Sequence, residues 1–320
     1  MDPIQILDKF IQLNPLGEIS RIAQRREIAI QGQRNPEIRI KIIKKLIAEK
    51  IEHLDVGARD GIEVGTSPYS DVLSLTLVEP DPIEAKKMRE SGYRVIEKIL
   101  AETDGGQKKI FFTKKRGSSS VFKVNKKVLK YYSLDISPRD GIRWSDPNRF
   151  NVQEECRIDI TSIASLGQNQ KINFDDIKID TEGSELDVLK GLGNQRPFFI
   201  KTEVEMVELY EKQALFHDVL KFLYDLGYVM CDLNIRSRPH GRYYGFPTPT
   251  TGDFSRGVPF TGDAFFMADW MRLSGQEIIA RNSRKWASTL VMRGYADIVE
   301  VVCSQKDVHE GNEISRILRS

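Results

Sequence analysis

Between residues 51 and 269, short apolar runs bounded by Gly, Pro or charge alternate with stretches of helical spacing, and that alternation limits the fold more than any other feature. "IEHLDVG" (51–57), "LTLVEP" (75–80), "YRVIEKIL" (93–100), "FDDIKID" (174–180), "PFFIKTEVE" (197–205) and "GDAFFMAD" (262–269) read as strands. "PIEAKKMRESG" (82–92), "SELDVLKGL" (184–192) and "LFHDVLKFLYDLGY" (215–228) read as helices, with Gly92 and Gly227 as stops. The pattern predicts an α/β fold: a mostly parallel, Rossmann-like sheet with helices on both faces, whose ligands lie beyond the carboxyl ends of the strands.

Helical spacing also fills "IQILDKFIQL" (4–13) and "PEIRIKIIKKLIAEK" (36–50), where Pro36 suits a first turn. A helical tail follows the last strand. The expected division is therefore a lead-in at 1–50, a main domain at 51–270 and a C-terminal helical extension at 271–320, the terminal helices packing on the domain or on a partner copy. "KKIFFTKK" (108–115) with "RGSSSVFKVN" (116–125) reads as a hairpin, and 131–156 as a polar loop. Residues 236–262, rich in Gly, Pro, Arg and Thr, are too long for an ordinary connection and read as a lid or substrate loop.

Charge excludes little globally and says more locally. The 48 basic and 46 acidic residues leave a net +2, so neither nucleic acid nor a membrane is the default partner. No window approaches the ~18 apolar residues of a membrane span. Nine Lys or Arg and no acid lie between Gly105 and Leu134, which reads as a solvated face. Cys156, Cys231 and Cys303 are far apart with no CxxC, which fits a reducing cytoplasm. No His/Cys/carboxylate cluster has metal-ligand spacing, so no metal is expected, although paired carboxylates leave room for a divalent ion.

"HLDVGARDG" places Asp55, Gly57 and Gly61 at the end of the first strand, where glycine lets backbone approach a ligand. Glu79 ends the second strand, 24 residues beyond Asp55, where α/β nucleotide sites put an acid to accept from ribose hydroxyls. Arg59 occupies the position of the second glycine of GxGxxG. That argues against NAD and for a ribose-bearing cofactor without a pyrophosphate, such as S-adenosylmethionine.

"DVGARDG", "LVEPDP", "IKIDTEGSELDVLKGL", "KTEVE" and "GDAFFMAD", in this order over about 215 residues, resemble the FkbM family of S-adenosylmethionine-dependent methyltransferases. The most specific element is the K-I-D-x-E-G-x-E-x-x-V-L-x-G segment. The resemblance implies a class I methyltransferase fold and methylation of a hydroxyl on a sugar, a glycosylated metabolite or another secondary metabolite. It further implies that Asp55, Gly57, Ala58 and Gly61 line the methionine part of the cofactor, that Glu79 holds the ribose, and that Leu100 and Ala101 flank the adenine. The chain departs from the family's commoner "DVGANxG" at Arg59 and Asp60.

Methyl transfer to an alcohol needs the oxygen relieved of its proton, because a neutral hydroxyl is a poor nucleophile. Asp180 and Glu182, at the carboxyl end of one strand, and Glu203, ending its neighbour, are the candidate bases. Other readings stand beside this one. Glu182 and Glu185 suit the first turn of a helix, and Lys178 can pair with Asp180 or Glu203. Arg236, Arg238, His240 and Arg242 are expected either to contact an acceptor carrying phosphate or carboxylate, such as a nucleotide-linked sugar, or to form a solvated loop. Two rival functions remain: a scaffold that keeps the fold without chemistry, and a methyltransferase of nucleic acid or protein.

Overall fold

The computed structural model describes residues 36–63, 65–132, 147–238, 258–305 and 308–320. Strands β1 (Ile51–Val56), β2 (Leu73–Val78), β3 (Val95–Ile96), β7 (Asp176–Ile179), β8 (Phe199–Glu205), β9 (Tyr228–Arg238) and β10 (Val258–Ala268) form one sheet in the order β3-β2-β1-β7-β8-β10-β9. Pairing is parallel from β3 through β8, and β10 runs antiparallel to both of its neighbours. The strand order reverses between β1 and β7, and this switch point opens a crevice beyond the strand ends. The expected Rossmann-like fold is present.

Helices cover both faces. In chain order they are α1 (Pro36–Leu46), α2 (Pro82–Glu90), α3 (Lys126–Tyr132), α4 (Ile163–Gln170), α5 (Glu185–Lys190), α6 (Phe216–Asp225), α7 (Leu273–Ala280), α8 (Ser283–Arg293), α9 (Ala296–Gln305) and α10 (Gly311–Leu318). Local chemistry sets their ends: Asp81 caps α2 by accepting from the Ile83 amide at 3.1 Å, Pro82 opens the helix, and Gly92 stops it at φ +88°. β7 is buried on both sides because Ile177 and Ile179 face core while Asp176 and Lys178 find charged partners.

α1 and the C-terminal helices belong to the same apolar core as the sheet, with Ile43, Trp286, Leu290, Val299 and Ile314 all buried in it. α8 is bolted to the strands by ions. Arg293 binds Asp176 through Nε at 2.9 Å and Nη2 at 2.5 Å, His53 binds the same carboxylate, and Lys285 reaches Asp175 at 2.9 Å.

Three readings of the chain between 93 and 161 change. "YRVIEKIL" is two strands: Val95–Ile96 joins β2, whereas β4 (Ile99–Leu100) joins a second, three-stranded sheet, β4-β6-β5. Its apolar residues come as doublets, so the chain bends between them. The expected hairpin is only an isolated Phe111–Ser120 bridge, and β5 (Gln107–Thr113) takes its main partner from β6 (Val152–Thr161). Residues 152–156 are thus strand rather than loop. Their exposed, acidic side chains hide the pattern, because the strand is covered on few of its residues.

The segment "IQILDKFIQL", most of the 131–156 insert and most of the 236–262 stretch lie outside the described residues, as do His240 and Arg242. Arg236 and Arg238 fall in the last residues of β9.

Candidate active site

The carboxyl ends of β1, β2 and β7 and the inner face of the small sheet enclose a cavity of about 330 Å³. Asp55, Gly57, Gly61, Glu79, Leu100, Asp180 and Glu182 line it, so most of the residues singled out in the sequence converge on one space. Ala58, Ala101 and Glu203 do not line it. Ala58 packs with Leu77 and Met88, and Ala101 lies in the apolar core of the small sheet with Ile99, Ile110, Phe112 and Ile160.

At the first loop, Gly57 has φ +77°, and a Cβ there would sit 1.8 Å from the Asp180 carbonyl oxygen. The glycine is needed because β7 ends against it, not only because a ligand approaches. Asp55 is buried and pairs with the Lys178 ammonium at 3.1 Å; the same ammonium donates to the Gly57 carbonyl at 3.1 Å and stands 3.6 Å from Asp180. Burial alone would lower the Lys178 pKa, but the Asp55 and Asp180 carboxylates outweigh it and hold the ammonium charged.

Glu79 is 4% exposed and accepts from the Asp81 amide at 2.8 Å. Burial pushes its carboxyl up to about 7, against that amide and the Arg59 guanidinium, both of which favour the charged form. Arg59, unusual at its position, reaches across the mouth to Asp81 at 2.8 Å and Glu84 at 3.6 Å. Arg116 answers from the strap after β5, bonding Glu154 at 2.9 Å while stacking over the Phe112 ring.

The charged β7–α5 junction divides its side chains among different tasks. Lys178 goes to Asp55. Glu185 is buried and holds its own loop, its Oε1 accepting from the Thr181 amide at 2.8 Å, the Thr181 hydroxyl at 3.0 Å and the Gly183 amide at 3.1 Å. Glu182 turns toward Tyr210, whose hydroxyl lies 2.6 Å from its Oε2. Burial and the neighbouring Asp180 push Glu182 up to about 8. Asp180, which also lines the cavity, leaves its side chain 44% exposed.

On the adjacent strand, Glu203 follows Thr202, the register partner of Ile179, and so stands beside Asp180. It accepts from the Thr261 hydroxyl at 3.2 Å, and burial, then Asp180 and Glu182, hold its carboxyl well above the usual range. Among the described residues no group of three or more His, Cys, Asp or Glu is placed to hold a metal ion.

Sequence reasoning missed the roof. Ile110, Phe112, Arg116 and Ser120 line the cavity from the small sheet and its strap, and Tyr210 supports Glu182 from behind. The run of small residues "GSSS" at 117–120 was the available signal, since only a closely packed turn needs it.

The sequence profile of the Methyltransferase FkbM domain matches residues 55–230, more than half of the chain. The chain belongs to the FkbM methyltransferase family. It is an S-adenosylmethionine-dependent methyltransferase, and its cofactor is S-adenosylmethionine. No curated protein matches it in sequence. Solved structures similar to this FkbM chain include magnesium protoporphyrin IX methyltransferase from Synechocystis PCC 6803 with bound SAM (9% identity, 82% of this chain and 90% of that one, TM-score 0.34). Others are a TehB-like SAM-dependent methyltransferase from Corynebacterium glutamicum (11%, 80% and 100%, 0.31) and precorrin-6y C5,15-methyltransferase from Geobacter metallireducens (10%, 72% and 87%, 0.30). These likenesses carry nothing about substrate.

The cavity fits that cofactor on its own evidence. One wall is apolar, formed by Ile99, Leu100, Ile110 and Phe112, and suits a purine. The buried carboxyl of Glu79, at the end of β2, lines the same cavity as Asp55 and Asp180. Among the described residues no helix is long and apolar enough to cross a membrane.

Proposed function

We propose that this enzyme methylates a hydroxyl oxygen of a sugar, a glycosylated metabolite or a related hydroxyl-rich small molecule, with Asp180 as the base. The observation that carries this reading is the open carboxylate of Asp180 in the same cavity as Asp55 and Glu79. S-adenosylmethionine supplies an electrophilic methyl group. The chain's own residues do the rest. Glu79 accepts hydrogen bonds from the ribose, Ile99, Leu100, Ile110 and Phe112 hold the adenine, and Asp55, kept in place by Lys178, faces the methionine part. Asp180 orients the acceptor hydroxyl and takes its proton, a role worth roughly 10²-fold or more in rate.

A carboxylate-lined end accepts hydrogen bonds from hydroxyls and repels anions, which favours a neutral polyol surface at the reacting end of the acceptor. The basic run from 105 to 134 supports a small acceptor rather than nucleic acid. Lys108 pairs with Asp187, Lys109 with Glu155 at 2.7 Å and Arg116 with Glu154 at 2.9 Å, while Lys109 and Lys123 flank the Phe111 ring at 5.7 and 5.8 Å.

The test is transfer of labelled methyl from S-adenosylmethionine to a panel of free, lipid-linked and nucleotide-linked sugars. Asp180→Asn is expected to keep cofactor affinity and lose roughly 10²-fold or more in turnover, with partial rescue as pH rises. Loss of cofactor binding instead would move Asp180 to the cofactor site and make Glu203 the candidate base. Transfer to a nitrogen or carbon acceptor alone would overturn the hydroxyl assignment.

A further inference from the structure

Glu182 has φ +55°, a conformation that an L side chain keeps only when its surroundings fix it. Here the fixing is visible. Its carbonyl accepts from the Ser120 hydroxyl at 2.7 Å, and its carboxyl meets Tyr210. The next residue, Gly183, packs so closely on the Tyr210 ring that a Cβ would lie 3.0 Å from it. Tyr210 itself is 1% exposed, in an apolar cluster with Phe150, Leu209 and Phe260, and its amide is bound by the Gln213 side chain.

The Tyr210 hydroxyl touches two oxygens, Glu182 Oε2 at 2.6 Å and the Ser118 carbonyl at 3.2 Å. A carbonyl only accepts, and a phenol has one proton to give. With Glu182 ionised, that proton serves one of the two contacts. With Glu182 protonated, both are made. We propose that Glu182 and Tyr210 hold this proton as a pair in the resting enzyme, Glu182 donating to Tyr210 and Tyr210 donating to Ser118. Tyr210 is then the positioning residue that fixes where Glu182 stands and when it ionises.

The charges facing Glu182 support the protonated form. Asp180 at the end of β7, Glu185 on α5 and Glu203 on β8 stand on one side of the balance, with Glu205 on β8 facing the Tyr210 hydroxyl. Arg149 and Lys115 stand on the other. Burial and Asp180 prevail and push the group up to about 8. As pH rises through that value Glu182 ionises, and the Tyr210 proton turns from the Ser118 carbonyl to the carboxylate. A neutral Glu182 sets no like charge beside Asp180, so this inference rests on, and sharpens, the reading of Asp180 as base.

The experiment is carbon NMR of the full chain labelled at glutamate side-chain carboxyls, with the Glu182 signal identified by its loss in Glu182→Gln. The expected titration midpoint is near 8. Tyr210→Phe is expected to move it up by about one pH unit, because the ionised form loses a charge-assisted hydrogen bond and the acid only a neutral one. A wild-type midpoint in the ordinary carboxylate range overturns the proposal, and does so even if Tyr210→Phe fails to fold. So does a folded Tyr210→Phe protein whose midpoint does not move. The measurement uses neither cofactor nor acceptor, so its failure leaves the assignment of Asp180 intact, and failure of Asp180→Asn to slow turnover leaves the proton pair intact.

Discussion

Glu79 begins with one carboxylate oxygen already bound to the Asp81 amide and with its charge disfavoured by burial. A ligand whose hydroxyls donate to that group binds the ionised form. Affinity for S-adenosylmethionine is therefore expected to tighten as pH rises through about 7, with release of a proton that calorimetry in buffers of different ionisation heat will register. Glu79→Gln should flatten that dependence and weaken binding by roughly 10-fold or more; an unchanged dissociation constant would place the ribose elsewhere. At this scale the sequence was legible where a residue's position along a strand decides where it lands, as for Asp55, Gly57, Glu79 and Asp180, all of which line the cavity. Glu185 was legible as a first-turn acid and Lys178 as a partner of Asp180, but the main contacts of Glu182 and Lys178 were not, because charged residues this close in sequence are told apart only by distant partners: Tyr210 for Glu182, and Asp55 for Lys178.

The elements that meet at the switch point depend on close contacts that a single atom disturbs. A methyl group at position 57 runs into the Asp180 carbonyl, so Gly57→Ala is expected to destabilise the cofactor-free protein by more than about 2 kcal/mol in urea unfolding, before any ligand is added. Equal stability with lost binding would restore the ligand as the reason for the glycine. The bolt between α8 and β7 is the other such contact. Arg293→Met leaves Asp176 buried beside His53 without its guanidinium, which costs about 3–5 kcal/mol, and Asp176→Asn in the same chain should recover part of the loss. Strands buried on both faces were readable from their apolar runs. β4 and β6 were not, since β4 has only two residues and β6 shows solvent most of its side chains; β4 exists because it pairs with the end of β6, and β6 because it pairs along β5.

Taken whole, the molecule holds carboxyls displaced in opposite directions, and its stability should peak between them. Burial opposes the charge on Asp176 and Glu63, but Arg293 and His53 for the first and Lys201 for the second hold them below their ordinary values; the stability they contribute is present at neutral pH and lost in acid. Glu79 and Glu182 are raised, to about 7 and about 8; their contribution is full below the ordinary carboxylate range and lost as pH rises through those values. Scanning calorimetry of the cofactor-free chain should find the highest unfolding temperature at about pH 4 to 5, with a fall on the alkaline side that Glu182→Gln makes shallower. A temperature that climbs steadily to about pH 9 would contradict the raised values of Glu79 and Glu182. One further consequence follows from the chain leaving the main sheet between Ile96 and Ile99 to build the roof. The segment from 99 to 161 carries the apolar wall at Leu100, Ile110 and Phe112, to which we assign the purine, together with the strap at 116–120 that touches Glu182. A chimera that borrows this segment from a relative to acquire a new acceptor would import a foreign cofactor wall with it, so the two preferences travel as one inheritable block.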